Sequence, residues 1–186
     1  MVKNLLTRFF KENILLMLIF AILLLPTIAE LFKPGFFLTQ DGNYFLIRFG
    51  QFHTALRDGQ IPPRWAPVLN QGFGYPVLIF YYPGAYMFGE IFYLLGFGLV
   101  DSFKIVMGLS MILGATFMYL WQYYLWKSKI AAFTSAIVYT WAPYRFLDIY
   151  VRGSVGEAFI FVFLPLLFWS VKIGGGIGLA IGSMSM

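Results

Sequence analysis

The feature that most constrains this fold is a long stretch without any charged side chain, from Ile105 to Trp126. At about 1.5 Å per residue, a helix made of this stretch is about 33 Å long, which matches the hydrocarbon thickness of a lipid bilayer. Lys127 and Lys129 follow immediately, as basic residues do at the ends of membrane helices. The stretch therefore predicts a membrane-spanning helix.

The composition agrees with a membrane environment. Hydrophobic residues make up 60% of the chain and charged residues only 11%, more apolar surface than the polar side chains of a water-soluble domain could cover. The net charge is +5, but the basic residues lie at the ends of apolar segments, which indicates a lipid bilayer rather than nucleic acid as the partner. Without cysteine, thiolate chemistry is excluded, and the single histidine, His53, excludes a zinc site of several imidazoles.

Three further segments are apolar enough to predict crossings. Segment 13–32 follows a basic N-terminal stretch and has only a weak cleavage site, which indicates an uncleaved anchor. Segments 130–144 and 156–172 are somewhat short unless flanking residues extend them. The predicted fold class is an all-α membrane protein, one domain over 1–186, with about four transmembrane helices near 13–32, 105–126, 130–144 and 156–172.

Segment 77–99 leaves the topology open, because it is apolar but is broken by Pro83-Gly84 and carries Glu90. Lysine and arginine collect in cytoplasmic loops. If the segment does not cross, the basic residues near the N-terminus and those after Trp126 fall together inside the cell. We therefore expect a multi-pass protein of the cell membrane with a cytoplasmic N-terminus, in which 33–103 is an outer loop and 77–99 is a re-entrant or surface aromatic hairpin.

Within this outer loop, residues 42–58 predict a helix that lies in the membrane interface. Apolar side chains recur at helical spacing on one face, and polar side chains gather on the other. Asp41 directly precedes the helix, where an aspartate serves as an N-cap. A carboxylate at the membrane surface can equally meet a lipid-borne polar group and a cation, so both roles of Asp41 stay open. The apolar face consists of Phe45, Phe49, Phe52 and Leu56.

A series of short motifs follows in order along roughly residues 12 to 172. The motifs are Asp41-Gly42, Ala55-Leu56-Arg57-Asp58-Gly59-Gln60-Ile61-Pro62-Pro63-Arg64-Trp65, Gly72-Phe73-Gly74-Tyr75-Pro76, Phe80-Tyr81-Tyr82-Pro83, Ala142-Pro143-Tyr144-Arg145, Asp148-Ile149-Tyr150-Val151-Arg152-Gly153 and Glu157-Ala158. On these motifs the chain resembles the N-terminal part of prokaryotic membrane proteins of the GT-C glycosyltransferase type. It resembles most of all the group labelled as a 6-pyruvoyl-tetrahydropterin synthase-related membrane protein domain.

The resemblance implies an enzyme that moves a sugar from a polyprenyl-phosphate carrier to an acceptor on the outer face of the membrane. In such proteins an acid in the first outer loop lies at the active site, and Asp41 matches that position. A second acidic element follows the third crossing, where this chain has Glu157 after Arg152-Gly153 in place of a paired-acid motif. The family also has more spans than this chain supplies, so further membrane chains or C-terminal spans are expected.

The chemistry of such a transfer assigns roles to these residues. It needs an acid that orients or deprotonates the acceptor hydroxyl, for which Asp41 is the candidate, and positive charge that stabilises the departing phosphate. Arg152 is the candidate for the second role, because a guanidinium can bind phosphate oxygens bidentately. Glu157 could complete a Mg²⁺ or Mn²⁺ site with Asp41, since both ions prefer oxygen ligands. Supporting positions are predicted for Arg145, Asp148 and His53, and a groove for the lipid carrier for Tyr75, Tyr81 and Tyr82.

Simpler roles stand beside each assignment. Without the resemblance, Arg152 is an interfacial anchor and Glu157 an acid at the start of a helix. Two other functional classes also stay open. A transporter fragment would use the broken segment at Pro83-Gly84, although the sequence has no internal symmetry to match it. A non-catalytic lipid-binding or assembly subunit would keep the aromatic groove and tolerate the loss of Asp41.

Overall fold

The computed structural model describes residues 18–172, and in that range the chain is all-helical, without strands. A 3₁₀ turn precedes α3, and a π-helical segment joins α6 to α7. Ala66 and Tyr75 form an isolated antiparallel bridge. The helices are α1 (Leu18–Phe32), α2 (Gly42–Arg57), α3 (Gly84–Leu94), α4 (Leu99–Trp126), α5 (Lys129–Thr140), α6 (Pro143–Phe146) and α7 (Val155–Lys172), with the 3₁₀ turn at Pro76–Ile79 and the π-helix at Leu147–Arg152.

The central element is α4, which packs against α5 and α7 and also contacts α2 and α3. Met107, Met111 and Ala115 recur every four residues on its buried face and are completely inaccessible to solvent. The helix begins before the predicted Ile105, because its first turns accommodate two charges. Lys104 Nζ donates to the carbonyl oxygen of Lys33 at 2.8 Å and lies 3.3 Å from Asp101 Oδ1.

Two helices, α4 and α7, are long and apolar enough to cross a membrane. They correspond to the predicted crossings 105–126 and 156–172. The described part of α1 is shorter, and residues 13–17 of the first predicted crossing lie outside the described residues together with the basic N-terminal stretch. Helix α5 has 12 residues and is about 18 Å long, shorter than the hydrocarbon core. The fold is therefore helical as predicted, and four crossings stay a prediction.

The helix predicted for 42–58 is present as α2, but its apolar face packs against the protein itself. Phe49 and Phe52 are each 1% exposed, and both rings contact Tyr86 of α3. Phe49 also packs on Phe103 of α4. The amphipathic pattern thus records burial against α3 and α4, since an apolar face looks the same in sequence whether protein or lipid covers it.

The segment 77–99 is interrupted at Pro83, as its sequence predicts. The 3₁₀ turn ends at Ile79, Pro83 is the N-cap of α3, and α3 has 11 residues. At about 1.5 Å per residue this helix is about 16 Å long, half of what a bilayer crossing needs. A surface or re-entrant position agrees with this length and stays a prediction.

Candidate functional site

The loop that carries Asp41 is attached to the end of the π-helical segment. The Gln40 N–H donates to the carbonyl oxygen of Val151 at 2.8 Å, and the Asp41 N–H donates to that of Arg152 at 2.9 Å. These two bonds pair the backbone before α2 with the backbone before α7, although the two stretches are far apart in sequence. Asp41 and Arg152 are therefore neighbours through their main chains.

Gly153 makes this close approach possible. Its φ is +74°, and a Cβ at this position would lie 2.6 Å from the Cα of Gly42 and 2.8 Å from Thr39 Oγ1. Real Cβ atoms do not approach other atoms so closely, so the two glycine backbones pack directly on each other. Glycine is also the residue that adopts a positive φ at no steric cost.

Asp41 occupies the N-cap position of α2, but its side chain makes no capping hydrogen bond. The Gly42 N–H instead donates to Thr39 Oγ1 at 3.1 Å. Asp41 is thus the N-cap residue by position, as predicted, but its carboxylate bonds no N–H of the first turn, and the threonine two residues earlier binds only the first N–H of the helix. The Asp41 side chain is exposed and lies beside the first turn of α2.

The guanidinium of Arg152 is the centre of the site. Its Nη1 lies 2.6 Å from Glu157 Oε2 and its Nη2 lies 2.7 Å from Glu157 Oε1, a bidentate pair between two half-buried side chains. Tyr144 Oη donates to Glu157 Oε2 at 2.9 Å and accepts from Arg152 Nη1 at 3.2 Å. Hydrogen bonding to Glu157 raises the pKa of Arg152, so the guanidinium stays charged.

Asp148 adds a second carboxyl to this group, from the π-helical segment. Its side chain is 1% exposed, Oδ1 lies 3.4 Å from Arg152 Nη1, and Oδ2 has no hydrogen-bond partner among the described residues. Burial first, and then the neighbouring charge of Glu157, raises the pKa of the Asp148 carboxyl to about 7 against the opposing effect of Arg152. We name Tyr144, Asp148, Arg152 and Glu157 the arginine cluster.

Arg145 is deeply buried beside the arginine cluster. The whole residue is 2% exposed, and its Nη2 donates to the carbonyl oxygen of Ser110 at 3.0 Å. The guanidinium carbon lies 4.8 Å from the centre of the Phe161 ring. Arg145 thus joins α4 to α7, and its supporting position at the site stays a prediction.

The three tyrosines predicted to form a groove separate in the structure. Tyr82 packs against Gly156, where a Cβ would overlap its ring, and Tyr81 lies beneath the guanidinium of Arg48 with 4.1 Å between the guanidinium carbon and the ring centre. Tyr75 instead pairs with Ala66 and is half exposed. Only Tyr81 and Tyr82 therefore share one surface with α2 and the start of α7.

Some contacts of the site were not predicted from the sequence. Tyr144 and Glu157 are 13 residues apart and belong to different helices, so no helical spacing in the sequence reveals their contact. Asp148 and Arg152 are four residues apart, the spacing at which helical side chains meet, so their pairing could have been found. Tyr82 and Gly156 meet across a loop and a helix, which local patterns do not encode.

His53 lies away from this site, about 18 Å along α2 from Asp41. Its Nδ1 is 2.7 Å from Glu90 Oε1 of α3, and its ring packs edge-on against Tyr93. The Glu90 side chain is only 9% exposed, and its Oε2 has no partner among the described residues. The pair holds α2 to α3, so the supporting role predicted for His53 at the site has no contact behind it.

Replacement of His53 by phenylalanine is expected to lower the free energy of unfolding by about 2 kcal/mol, because the buried Glu90 carboxyl loses its partner. The double variant His53→Phe with Glu90→Met is expected to recover most of this loss, since neither polar group then remains buried. Chemical unfolding in detergent micelles, followed by circular dichroism, measures both. A double variant no more stable than the single one would contradict the assignment.

The metal site predicted from Asp41 and Glu157 stays a prediction, and the contacts of Glu157 compete with it. Both Glu157 oxygens already contact the Arg152 guanidinium, which supplies the positive charge that a divalent ion would bring. Within residues 18–172, no group of three or more His, Asp or Glu side chains is placed to hold a metal ion. Asp148 is the only further acid of the arginine cluster, and its Oδ1 lies against Arg152.

Comparisons with known proteins give one distant relative. A protein of Lactococcus lactis subsp. cremoris (strain MG1363), described as uncharacterized, is 24% identical over 138 residues. The match covers 70% of this chain but only 22% of the relative, so the chain spans less than a quarter of that protein's length. No family model matches the chain, and no solved structure matches it.

Proposed function

We propose that this chain is part of a multi-pass cell-membrane glycosyltransferase that moves a sugar from a polyprenyl-phosphate carrier to an acceptor on the outer face. Two helices of spanning length support the membrane location. The resemblance of Asp41-Gly42, Asp148 to Gly153 and Glu157-Ala158 to GT-C proteins supports the reaction. In this topology α1, α4, α5 and α7 all cross the membrane, as predicted from the sequence, so that Asp41 and the arginine cluster both lie at the outer water boundary.

One observation carries the proposal. The backbone bond from Asp41 to Arg152 brings the acid of the first loop beside the arginine that precedes α7. If Asp41 were only a helix cap and Arg152 only an interfacial anchor, the two would not need to be neighbours. A site that binds a hydroxyl and a phosphate needs an acid and a cation side by side. The exposed Asp41 carboxylate, which makes no cap bond, is available to an acceptor.

The proposed reaction uses residues of this chain alone. The acceptor oxygen attacks the anomeric carbon of the sugar and forms the new glycosidic bond while the bond from that carbon to the phosphate oxygen breaks. The hydroxyl proton passes to Asp41, and the polyprenyl phosphate leaves with the bonding electron pair. Arg152 stabilises the departing phosphate through the N–H groups that Glu157 leaves exposed, and Glu157 holds the guanidinium in position.

Asp41→Asn in the full-length protein tests this assignment, with transfer from lipid-linked sugar as the assay. We expect transfer to fall at least about 100-fold, because an amide cannot accept the hydroxyl proton. Asp58→Asn is the matched control, since Asp58 is exposed at the opposite end of α2. Unchanged transfer in a folded Asp41→Asn protein would end the catalytic proposal.

A non-catalytic lipid-binding or assembly subunit is the second candidate. It is favoured by the Arg152–Glu157 pair, in which both Nη atoms are committed to one carboxylate, as in an ion pair that only holds helices together. In that case Glu157→Gln would lower the stability of the protein. The only other expected effect would be weaker binding of its assembly partners. The two candidates differ in Asp41, which the subunit does not need.

A further inference from the structure

A cavity of about 440 Å³ lies between the end of α1 and the first half of α4. The residues of α4 that line it recur every three or four positions and form one stripe along the helix. Most of its wall is apolar, and two charged side chains lie at one end. The apolar wall includes Ile28, Leu31, Ile105, Gly108, Leu109 and Ile112, and the charged end has Asp101 and Lys104.

The dimensions of this groove match one leaflet of a bilayer. From Asp101 to Ile112 the helix rises about 16 Å, and half of a hydrocarbon core is about 15 Å. The charges lie in the first turns of α4, and only apolar residues follow along the stripe. A groove that is polar at one end and apolar over the depth of a leaflet has the polarity profile of a lipid.

The polar end carries balanced charge. Lys104 has a 6% exposed side chain, and its Nζ contacts the Lys33 carbonyl oxygen at 2.8 Å and Asp101 Oδ1 at 3.3 Å. An ammonium has three N–H donors, so these two contacts leave one for a further acceptor. Beside it, Lys33 Nζ lies 2.7 Å from Glu30 Oε2 on the exposed rim. The two cations and two carboxylates at this end balance each other, which suits a headgroup that carries both charges.

We propose that this groove binds a zwitterionic phospholipid, with one acyl chain along α4, its phosphate on Lys104 and its ammonium beside Asp101. Charge complementarity selects this occupant, because the two lysines and two carboxylates at this end already balance, so a headgroup without net charge leaves no charge uncompensated. The inference rests on the membrane location proposed above and is independent of glycosyl transfer. Gly108 keeps the groove open, since a Cβ there would already contact Leu31 at 3.4 Å.

The test uses the full-length protein purified in detergent and native mass spectrometry, which counts bound lipids. Phosphatidylethanolamine and phosphatidylglycerol with the same acyl chains are added separately. We expect one phosphatidylethanolamine to be retained, and its dissociation constant to rise at least about ten-fold in Gly108→Leu, whose side chain fills the groove. Val138→Leu is the matched control, because Val138 is exposed on α5 and outside the groove.

Lys104→Met tests the headgroup contact, and we expect it to abolish the preference for phosphatidylethanolamine over diacylglycerol of the same chains. Equal retention of phosphatidylethanolamine by the wild type and Gly108→Leu would overturn the assignment of the lipid to this groove. Tighter retention of phosphatidylglycerol would overturn the headgroup assignment, and a second protein copy in place of lipid would overturn the occupant. Retention by Asp41→Asn separates this inference from the proposed catalysis, because that variant is expected to bind the lipid normally.

Discussion

Gly153→Ala is expected to lower the free energy of unfolding by about 4 kcal/mol. Two costs combine, the positive φ of +74° and the overlap of the new methyl group with the backbone of Gly42 at 2.6 Å. A left-handed conformation costs a non-glycine residue roughly 1 to 2 kcal/mol. The overlap adds roughly 1 to 3 kcal/mol, because the neighbour is backbone and cannot rotate away. Chemical unfolding in detergent micelles measures the total.

Gly35→Ala separates the two costs. Gly35 has almost the same φ, +76°, but a Cβ there would meet nothing within 4 Å. This variant is therefore expected to lose only the conformational part, roughly 1 to 2 kcal/mol. Equal losses for the two variants would show that the backbones of Gly42 and Gly153 are not in tight contact in solution.

The same substitution has a consequence for the site. The bonds from Gln40 and Asp41 to Val151 and Arg152 flank the Gly153 contact, so separating the backbones weakens the attachment of the Asp41 loop. Under the proposed function, Gly153→Ala is thus expected to reduce transfer even where the protein remains folded. Gly35→Ala leaves those bonds intact and is expected to transfer normally.

The helices were predictable because each has a local cause. A run without charges, such as Ile105 to Trp126, favours a helix in an apolar environment, and the proline at position 83 interrupts the segment 77–99. The ends of helices were less predictable. Helix α4 begins at Leu99, and the ammonium of Lys104 in its first turns donates to the Lys33 carbonyl oxygen. The two residues are far apart in sequence, so a local pattern cannot predict this contact.

The site was predictable only in part. Arg152 and Glu157 are close in sequence, so a turn between them is enough to let them meet. The approach of Asp41 to Arg152 depends on direct backbone packing between Gly42 and Gly153. A glycine permits such packing, but its presence in the sequence does not predict it. Asp41 is the N-cap residue as predicted, but its carboxylate makes no cap bond and Thr39 binds the Gly42 N–H, a side-chain orientation that local sequence does not determine.

Asp148 is expected to make stability depend on pH between about 4 and about 7. Burial raises its pKa from 3.8 in the unfolded chain to about 7 in the folded protein, so the folded state holds the proton more tightly. Stability is then highest below the unfolded pKa, falls as the pH rises through this window and is level above it. A rise from 3.8 to about 7 corresponds to on the order of 4 kcal/mol. Arg152, which lies against the carboxyl, offsets only part of the effect of burial.

Asp148→Asn removes this dependence, since an amide has no proton to lose in the window. The variant is expected to match the wild type near pH 4 and to be more stable near pH 8, with the two curves separating between them. The charged groups around Asp148, namely Glu157, Arg152 and Arg145, are present in both proteins, so the difference between the two curves isolates the Asp148 carboxyl. Unfolding midpoints in detergent from pH 4 to pH 8 provide the measurement. Parallel curves would mean that Asp148 stays ionised throughout, held by Arg152 more strongly than its burial opposes.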